Sequence, residues 1–210
     1  MFRRVAQLLI GLAFYGFACA MMVTASLGVD PWTVFAQGLA NVTGLSLGLL
    51  TILIGAAVLL LWIPLKQRPG IGTLLNIVVI GVVLDLGLMV LSAPPQLWQR
   101  ILLFAGGLVL LAVATGLYIG SHFGAGPRDG LMTGLHSRFG VPIWIARTSV
   151  EVSVLVTGWL LGGDVGLGTL AFALLIGPLC GIALPLLAVP RSSSKLIGAP
   201  EPHRPEPEAV

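Results

Sequence analysis

Two charged side chains stand inside one long apolar run, at a spacing that lets them act together. Arg147 and Glu151 are four residues apart within residues 142 to 161, so a helix would place them on one face. A charge at the centre of a membrane helix costs about 2.5 to 3.5 kcal/mol on insertion scales, so it requires a partner, water or a function. Two interpretations fit: a structural ion pair, or Glu151 accepting a proton or cation while Arg147 faces an anionic group of a solute.

Asp85 is the third charged residue within an apolar run. No basic residue lies within one helical turn of it in either direction. It is therefore either protonated, buried and hydrogen-bonded to backbone, or a second candidate for accepting a proton or cation. The sequence leaves the distance between Asp85 and Arg147 open.

The segment GAGPRDGL, residues 124 to 131, has the densest chemistry between the apolar runs. It contains the turn residues Gly124, Gly126 and Pro127. Proline suits the first turn of a helix, and the positive end of that helix would hold an anion beside Arg128. Asp129 lies in the same turn and would instead satisfy the backbone N–H groups itself.

A related segment, residues 28 to 32, reads GVDPW and has the same turn residues, Gly28 and Pro31. Here an aromatic residue, Trp32, replaces the base, and Asp30 precedes the proline. We count Asp30 with the two charged residues of the longer segment as candidate ligands of a solute or ion. Trp32 is either an interfacial anchor or a ligand contact, and a solvated structural turn is the alternative for both segments.

Six apolar segments of membrane-spanning length must position these residues. A helix needs about 20 apolar residues to cross a hydrocarbon core about 30 Å thick. The predicted spans are residues 8 to 27, 46 to 65, 73 to 92, 101 to 120, 142 to 161 and 169 to 188. Residues 31 to 43 and 127 to 139 are too short to cross and are predicted as short helices, either interfacial or re-entrant. The predicted fold class is an all-α, polytopic transmembrane helix bundle.

The composition agrees with a chain embedded in a membrane. Hydrophobic residues make up 57% and charged residues 9%, with a mean hydropathy of +1.03, whereas soluble proteins carry about 25% charged residues. This excludes a cytosolic enzyme, a secreted disulfide scaffold and a nucleic-acid reader. Residues 189 to 210 are rich in proline and mixed charge and predict a disordered cytoplasmic tail. Because catalytic signatures and clustered metal ligands are missing, we expect no enzyme, metal or cofactor.

The basic residues of the short loops predict the orientation, because positive loops stay cytoplasmic. With both termini inside, the cytoplasmic side receives Arg3, Arg4, Lys66, Arg68, Arg128, Arg138, Arg191 and Lys195. Only Arg100 falls on the opposite side, where the other loops offer Asp30 and Asp164. The six-span topology with cytoplasmic termini therefore follows.

The first half of the chain recurs in the second half after 96 residues. Residues 11 to 91 align with 107 to 187 without a gap, and seven of the identical positions are glycines. The turn GxxP recurs at 28 to 31 and 124 to 127, and the run GxGTL at 70 to 74 and 166 to 170. Each unit, about residues 8 to 92 and 101 to 188, holds three spans, so the second crosses in the opposite direction. Such inverted repeats are typical of secondary transporters, although a duplicated bundle without transport is the alternative.

These motifs resemble the small bacterial integral membrane proteins of the YczE/YyaS/YitT type, over roughly residues 5 to 190. The matching motifs are LGVDPW (27 to 32), GAGPRDGLM (124 to 132), the RxxxE of Arg147 and Glu151, GWLLGG (158 to 163), GLGT (166 to 169) and IGP (176 to 178). The resemblance implies a multi-pass protein of the bacterial inner membrane. It implies no substrate, because the family is largely uncharacterised.

A secondary transporter or permease for a small solute is the leading hypothesis. Its expected partners are the lipid bilayer, a small-molecule solute and further copies of the chain in a homo-oligomer, and not nucleic acid. The alternative is a non-transporting membrane protein that assists the assembly or regulation of a partner. In a transporter, Arg147, Glu151 or Asp85 would face a central cavity, whereas in a scaffold they would be paired within packed protein.

Overall fold

The computed structural model describes residues 2–187, and all the regular secondary structure in that range is helical. The helices are α1 (Phe2–Ala25), α2 (Pro31–Thr43), α3 (Leu47–Trp62), α4 (Ile71–Val90), α5 (Leu97–Gly120), α6 (Pro127–Phe139), α7 (Ile143–Leu160) and α8 (Leu167–Leu187). The all-α prediction is confirmed, and α2 and α6 coincide with the two predicted short helices. The predicted tail lies outside the described residues.

The two short helices begin and end by the same local rules. Each starts at a proline whose ring pre-sets the first helical φ. Each ends at a glycine in the left-handed region, Gly44 at φ 72° and Gly140 at φ 70°, a conformation that side chains with a Cβ rarely adopt. Both helices are therefore limited by their sequence to 13 residues.

Five of the described helices are long and apolar enough to cross a membrane, namely α1, α4, α5, α7 and α8. A sixth span results if α2 and α3, which meet at an angle of 115°, are counted together. By itself α3 has 16 residues, which at 1.5 Å per residue gives about 24 Å. The helices therefore allow five or six of the six predicted spans.

Helices α1 and α5 form the centre of the bundle and run antiparallel. A Cβ added to Gly11, in the first half of α1, would lie 2.9 Å from Leu117 near the end of α5. A Cβ added to Gly107, in the first half of α5, would lie 2.9 Å from Met22 near the end of α1. The first long helices of the two sequence units therefore point in opposite directions.

The remaining helices surround this pair in matching positions. Helix α1 packs against α4 in the first unit, and the equivalent α5 packs against α8 in the second. Between the units, α2 packs against α7, and the equivalent α6 packs against α3. Each short helix therefore contacts the long helix that follows the other short helix. The two sequence units are interlocked rather than side by side.

The recurring glycine motifs contact each other across the two units. At Gly28, φ is 98°, and an added Cβ would lie 2.5 Å from the backbone N of Gly166. The backbone N–H of Gly168 donates to the carbonyl of Leu27 over 2.7 Å, and Gly72 donates in the same way to Phe123 over 3.1 Å. This contact explains why the GxxP turns and the GxGTL runs recur together.

One pair of matching helices differs between the units. Helices α3 and α4 pack closely, with the carbonyl of Gly48 2.5 Å from the position of an added Cβ at Gly81. Helices α7 and α8, the equivalent pair, do not pack closely within the described residues. The second unit is therefore open where the first is closed.

Candidate functional site

A cavity of about 370 Å³ fills the gap between α7 and α8, and α1, α2, α5 and α6 complete its walls. It is called here the α7–α8 cavity. Its polar lining includes Tyr118, Arg128, Asp129, Arg147, Glu151 and Cys180. The equivalent space between α3 and α4, the α3–α4 cavity, measures about 90 Å³. Five residues line both cavities and form their common wall: Tyr15, Trp32, Tyr118, Arg128 and Asp129.

The common wall is held by an ion pair between the starts of the two short helices. Arg128 Nη1 donates to Asp30 Oδ1 over 3.2 Å, and the guanidinium Cζ lies 5.0 Å from the ring centre of Trp32. Burial is the largest single influence on the pKa of Arg128 and lowers it, but the combined effect of Asp30 and the other negative groups is larger and the net shift is upward. The guanidinium is therefore charged and shared between a carboxylate and an aromatic face.

Asp30 has a second role, as the N-cap of α2. Its Oδ1 accepts from the backbone N–H groups of Trp32 and Thr33, each over 3.2 Å. The Thr33 hydroxyl donates to Oδ2. The residue is only 4% exposed, so these donors and Arg128 replace the water that its carboxylate has lost.

Asp129 faces the same wall from the first turn of α6. The Tyr118 hydroxyl donates to Asp129 Oδ2 over 2.9 Å. Helix α6 receives no side-chain cap at Gly126, so the first turn of α6 differs from that of α2. Within residues 2–187, Tyr118 is the hydrogen-bond partner that the structure gives to the Asp129 carboxylate.

Arg147 and Glu151 form the ion pair that their spacing allows. Arg147 Nε donates to Glu151 Oε1 over 3.0 Å, and the two side chains are 56% and 32% exposed. Both line the α7–α8 cavity. The structure therefore has features of both interpretations of these residues. The two charges form an ion pair, as in the structural interpretation, and both face a cavity, as in the functional one.

Asp85 lies away from this group and caps a helix. Its Oδ2 accepts from the Ser46 hydroxyl over 2.6 Å, and its Oδ1 accepts from the backbone N–H of Gly48 over 2.7 Å. It therefore ties α4 to the start of α3. The cavity brings together five of the six charged candidates, and Asp85 is the one that it does not include.

Sequence reasoning did not single out two aromatic residues that organise the site. Tyr118 contacts Tyr15 edge to face, with ring centres 6.2 Å apart. Trp62 Nε1 donates to the carbonyl of Pro127 over 3.0 Å, which fixes the start of α6. A buried tyrosine at the end of an apolar run requires a partner for its hydroxyl, and that requirement was the available signal for Tyr118.

The turn glycines position the chain at the site. Gly124 adopts φ 127°, so a side chain there would be strained. The described residues contain no cluster of three side chains of the types that bind metal ions. The chemistry available in the cavity is therefore ion pairing and hydrogen bonding by two guanidinium groups, three carboxylates and hydroxyl groups.

The chain has relatives in two bacteria. It is 43% identical over 187 residues to an uncharacterised protein of Haemophilus influenzae, covering 89% of this chain and 86% of that protein. It is 33% identical over 177 residues to the uncharacterised membrane protein YczE of Bacillus subtilis, covering 83% and 82%. It is 26% identical over 182 residues to the uncharacterised protein YyaS of the same organism, covering 85% and 90%. No solved structure matches.

A family model described as a family of unknown function, DUF6198, matches residues 2–185. The chain belongs to this family. The predicted resemblance to the YczE and YyaS proteins is confirmed. Together with the apolar helices, the likeness to YczE identifies a multi-pass membrane protein.

Proposed function

We propose that the protein is a secondary transporter or permease for a small solute. The observation that carries the proposal is the pair of equivalent cavities, about 370 and 90 Å³, on either side of one ion-paired wall. A transporter of the alternating-access type requires two related openings of which one is closed at a time. The inequality of the two cavities fits such a state.

The antiparallel packing of α1 and α5 supports a relation between the units by an inverted repeat. The reciprocal contacts of the glycine motifs support it as well, because each unit uses the same backbone groups against the other. In an inverted repeat, exchanging the conformations of the two units gives a second state of similar energy. In that state α7 and α8 would close and α3 and α4 would separate.

The α7–α8 cavity leaves room for this closure. Gly177 and Gly181 line it on α8, and an added Cβ would meet no atom within 4 Å at either position. At Gly81, the equivalent of Gly177, the neighbouring helix is in direct contact. Small residues allow close approach of membrane helices. The glycines of α8 would therefore allow close packing against α7, which this conformation does not show.

Arg128 and Asp30, which the sequence assigned to opposite sides of the membrane, are paired in the structure, so neither residue reports a side. The other basic loop residues support an orientation in the bacterial inner membrane with both termini in the cytoplasm. In that orientation the charged part of the cavity, at Arg147 and Glu151, lies toward the cytoplasmic end of α7. We therefore propose that this conformation is open to the cytoplasm. A tag inserted after Asp164 tests the orientation, since it should be accessible only from the periplasm.

Ligand screening followed by transport measurements tests the proposed function. Purified protein is screened by thermal shift against a metabolite library, and each hit is tested for uptake into proteoliposomes. We expect uptake that is lost in Arg147→Gln and Glu151→Gln. It should persist in Arg100→Gln, whose side chain binds the carbonyl of Pro94 outside the cavity. The absence of any ligand, with unchanged cellular phenotype in the first two variants, would contradict transport.

A non-transporting partner protein is the second candidate. The observation that favours it is that Arg128 and Arg147 are each already paired with a carboxylate. This function requires a stoichiometric complex with one defined membrane protein in native membranes. Uptake of a defined solute by the purified chain alone would exclude it as the sole function.

A further inference from the structure

We infer that the α7–α8 cavity binds a small zwitterion that carries one carboxylate and one protonated amine. This inference rests on the proposed function, because it names the class of solute for the same site. The two charged groups of the solute find separate partners on the cavity wall, and each partner is identified by its unused hydrogen-bonding groups.

The partners of the solute carboxylate are the two arginines. A guanidinium carries five N–H donors, yet Arg128 donates to Asp30 through Nη1 and Arg147 donates to Glu151 through Nε. Within residues 2–187, the remaining donors of both groups make no side-chain hydrogen bond with the protein. Both side chains line one cavity, and guanidinium groups suit planar, bidentate contacts with carboxylates.

The partner of the solute amine is Asp129. Within residues 2–187 its hydrogen-bond partner is the neutral hydroxyl of Tyr118, and it makes no direct ion pair of the kind that Arg128 makes with Asp30. The cavity wall also includes the rings of Tyr15, Tyr118 and Phe172. Aromatic faces attract ammonium groups, with greater strength where water is excluded.

The charges of the whole wall favour a zwitterion over a simple ion. Two guanidinium groups and three carboxylates line the cavity. A simple anion would add to the excess of negative charge, and a simple amine would leave the free guanidinium donors without an acceptor. A volume of about 370 Å³ is at the small end of the range of roughly 300 to 1,000 Å³ for ligand sites, which suits a solute of a few carbon atoms.

A panel of matched probes tests the inference on the unaltered protein. It contains unbranched amino acids with two to six carbons and terminal amine and carboxylate groups, from glycine to 6-aminohexanoate, and the alkylamine and fatty acid of each length. Binding is measured on the purified full-length protein by thermal shift and isothermal titration. We expect an amino acid of at least one length to bind tenfold or more tightly than the amine and the acid of that length.

Two substitutions then separate the two charged groups. Asp129→Asn should weaken binding of the amino acid tenfold or more, to the level of the matching acid. Arg147→Gln should weaken it severalfold, toward the level of the matching amine, because Arg128 remains as the second partner of the carboxylate. Asp85→Asn is the control, because Asp85 caps α3 outside the cavity, and it should leave binding within twofold.

Equal or tighter binding of an amine or an acid would overturn the inference, as would no binding by any amino acid of the panel. Unchanged binding by a folded Asp129→Asn variant would overturn it too. Exchange of labelled solute in proteoliposomes separates this inference from the proposed function. Amino acid binding without exchange would contradict transport and leave the site intact, whereas uptake of an unrelated solute would contradict the zwitterion and leave transport intact.

Discussion

The α3–α4 pair and the α7–α8 pair come from equivalent positions of the two sequence units, yet one is closed and the other open. Gly48 and Gly81 meet backbone to backbone in the first pair. At the positions that match Gly48 and Asp85, the second pair carries Trp144 and Gly181. The first pair thus has both a close glycine contact and a capping carboxylate, and the second has neither.

The same comparison accounts for where the charges lie. Arg147 and Glu151 stand at the positions of Thr51 and Gly55. An ion pair exposed to lipid would be costly, so an open, water-accessible cavity is the environment in which α7 retains it. At these two positions the second unit has an ion pair beside a cavity, while the first has small residues and close packing.

The largest effect should follow from making the two helix starts alike. Gly126 occupies in α6 the position that Asp30 occupies in α2, so Asp30→Gly copies the second unit into the first. This substitution leaves Arg128 without its carboxylate partner. We expect the unfolding free energy to fall by about 3 kcal/mol. This value is at the lower end for a buried ion pair, because the Arg128 side chain is one-third exposed. Chemical denaturation in detergent measures it. Adding Arg128→Met should recover most of the loss, and failure to recover would show that the pair is not the cause.

Equivalent glycines should respond differently to the same added methyl group. A Cβ at Gly81 would lie 2.5 Å from the carbonyl oxygen of Gly48, whereas one at Gly177 meets nothing within 4 Å. We expect Gly81→Ala to lower the unfolding free energy by about 1 to 3 kcal/mol. Gly177→Ala should be neutral or stabilising by about 0.5 to 1 kcal/mol. Equal losses in both variants would mean that α7 and α8 pack as closely as α3 and α4.

Removal of the capping carboxylate should have a moderate effect, limited to the first unit. Asp85→Ala removes the acceptor of the Gly48 N–H at the start of α3 and leaves the Ser46 cap on Leu49. The expected loss is about 0.5 to 2 kcal/mol, typical of a helix cap. Asp85→Asn keeps an acceptor oxygen and serves as the control with a smaller loss. Thermal unfolding followed by tryptophan fluorescence measures both, and a larger loss in the asparagine variant would contradict the capping role.

The smallest effect on stability is expected at the ion pair of the open unit. Arg147→Gln removes a partly exposed pair spaced four residues apart on a helix, which contributes about 0.3 to 0.5 kcal/mol. The same variant should lose solute uptake, so stability and activity separate. A loss of several kcal/mol would instead indicate that Arg147 and Glu151 serve the packing of the bundle.

Local patterns in the sequence were sufficient to predict the helices, but they were insufficient to predict the residues that meet in the cavity. The prolines and glycines at the ends of α2 and α6 act within a few residues, so both helices were predictable. The spacing of Arg147 and Glu151 likewise allowed their ion pair, which was one of the two interpretations of these residues. Asp30 and Arg128 are 98 residues apart, and their contact depends on how the two units interlock, which no local pattern encodes.

The contacts of Asp85 are a second case in which residues far apart in the sequence meet. Its place in an apolar run predicted a buried carboxylate with either a structural or a functional role. The Ser46 hydroxyl and the Gly48 N–H that it accepts from lie 39 and 37 residues earlier in the chain. Only the packing of α3 against α4 brings them together, and this packing differs from that of the equivalent helices.

Alternating access is tested most directly by two matched distances measured in proteoliposomes by double electron–electron resonance. Spin labels are attached at Ile145 and Leu186 in one variant and at the equivalent Leu49 and Val90 in another. All four residues are exposed, and Cys19 and Cys180 are replaced by alanine in both variants. We predict a longer main distance for the α7–α8 labels, and reciprocal changes in the two distances when a transported solute is added. Two fixed distances, or changes in the same direction, would contradict alternating access.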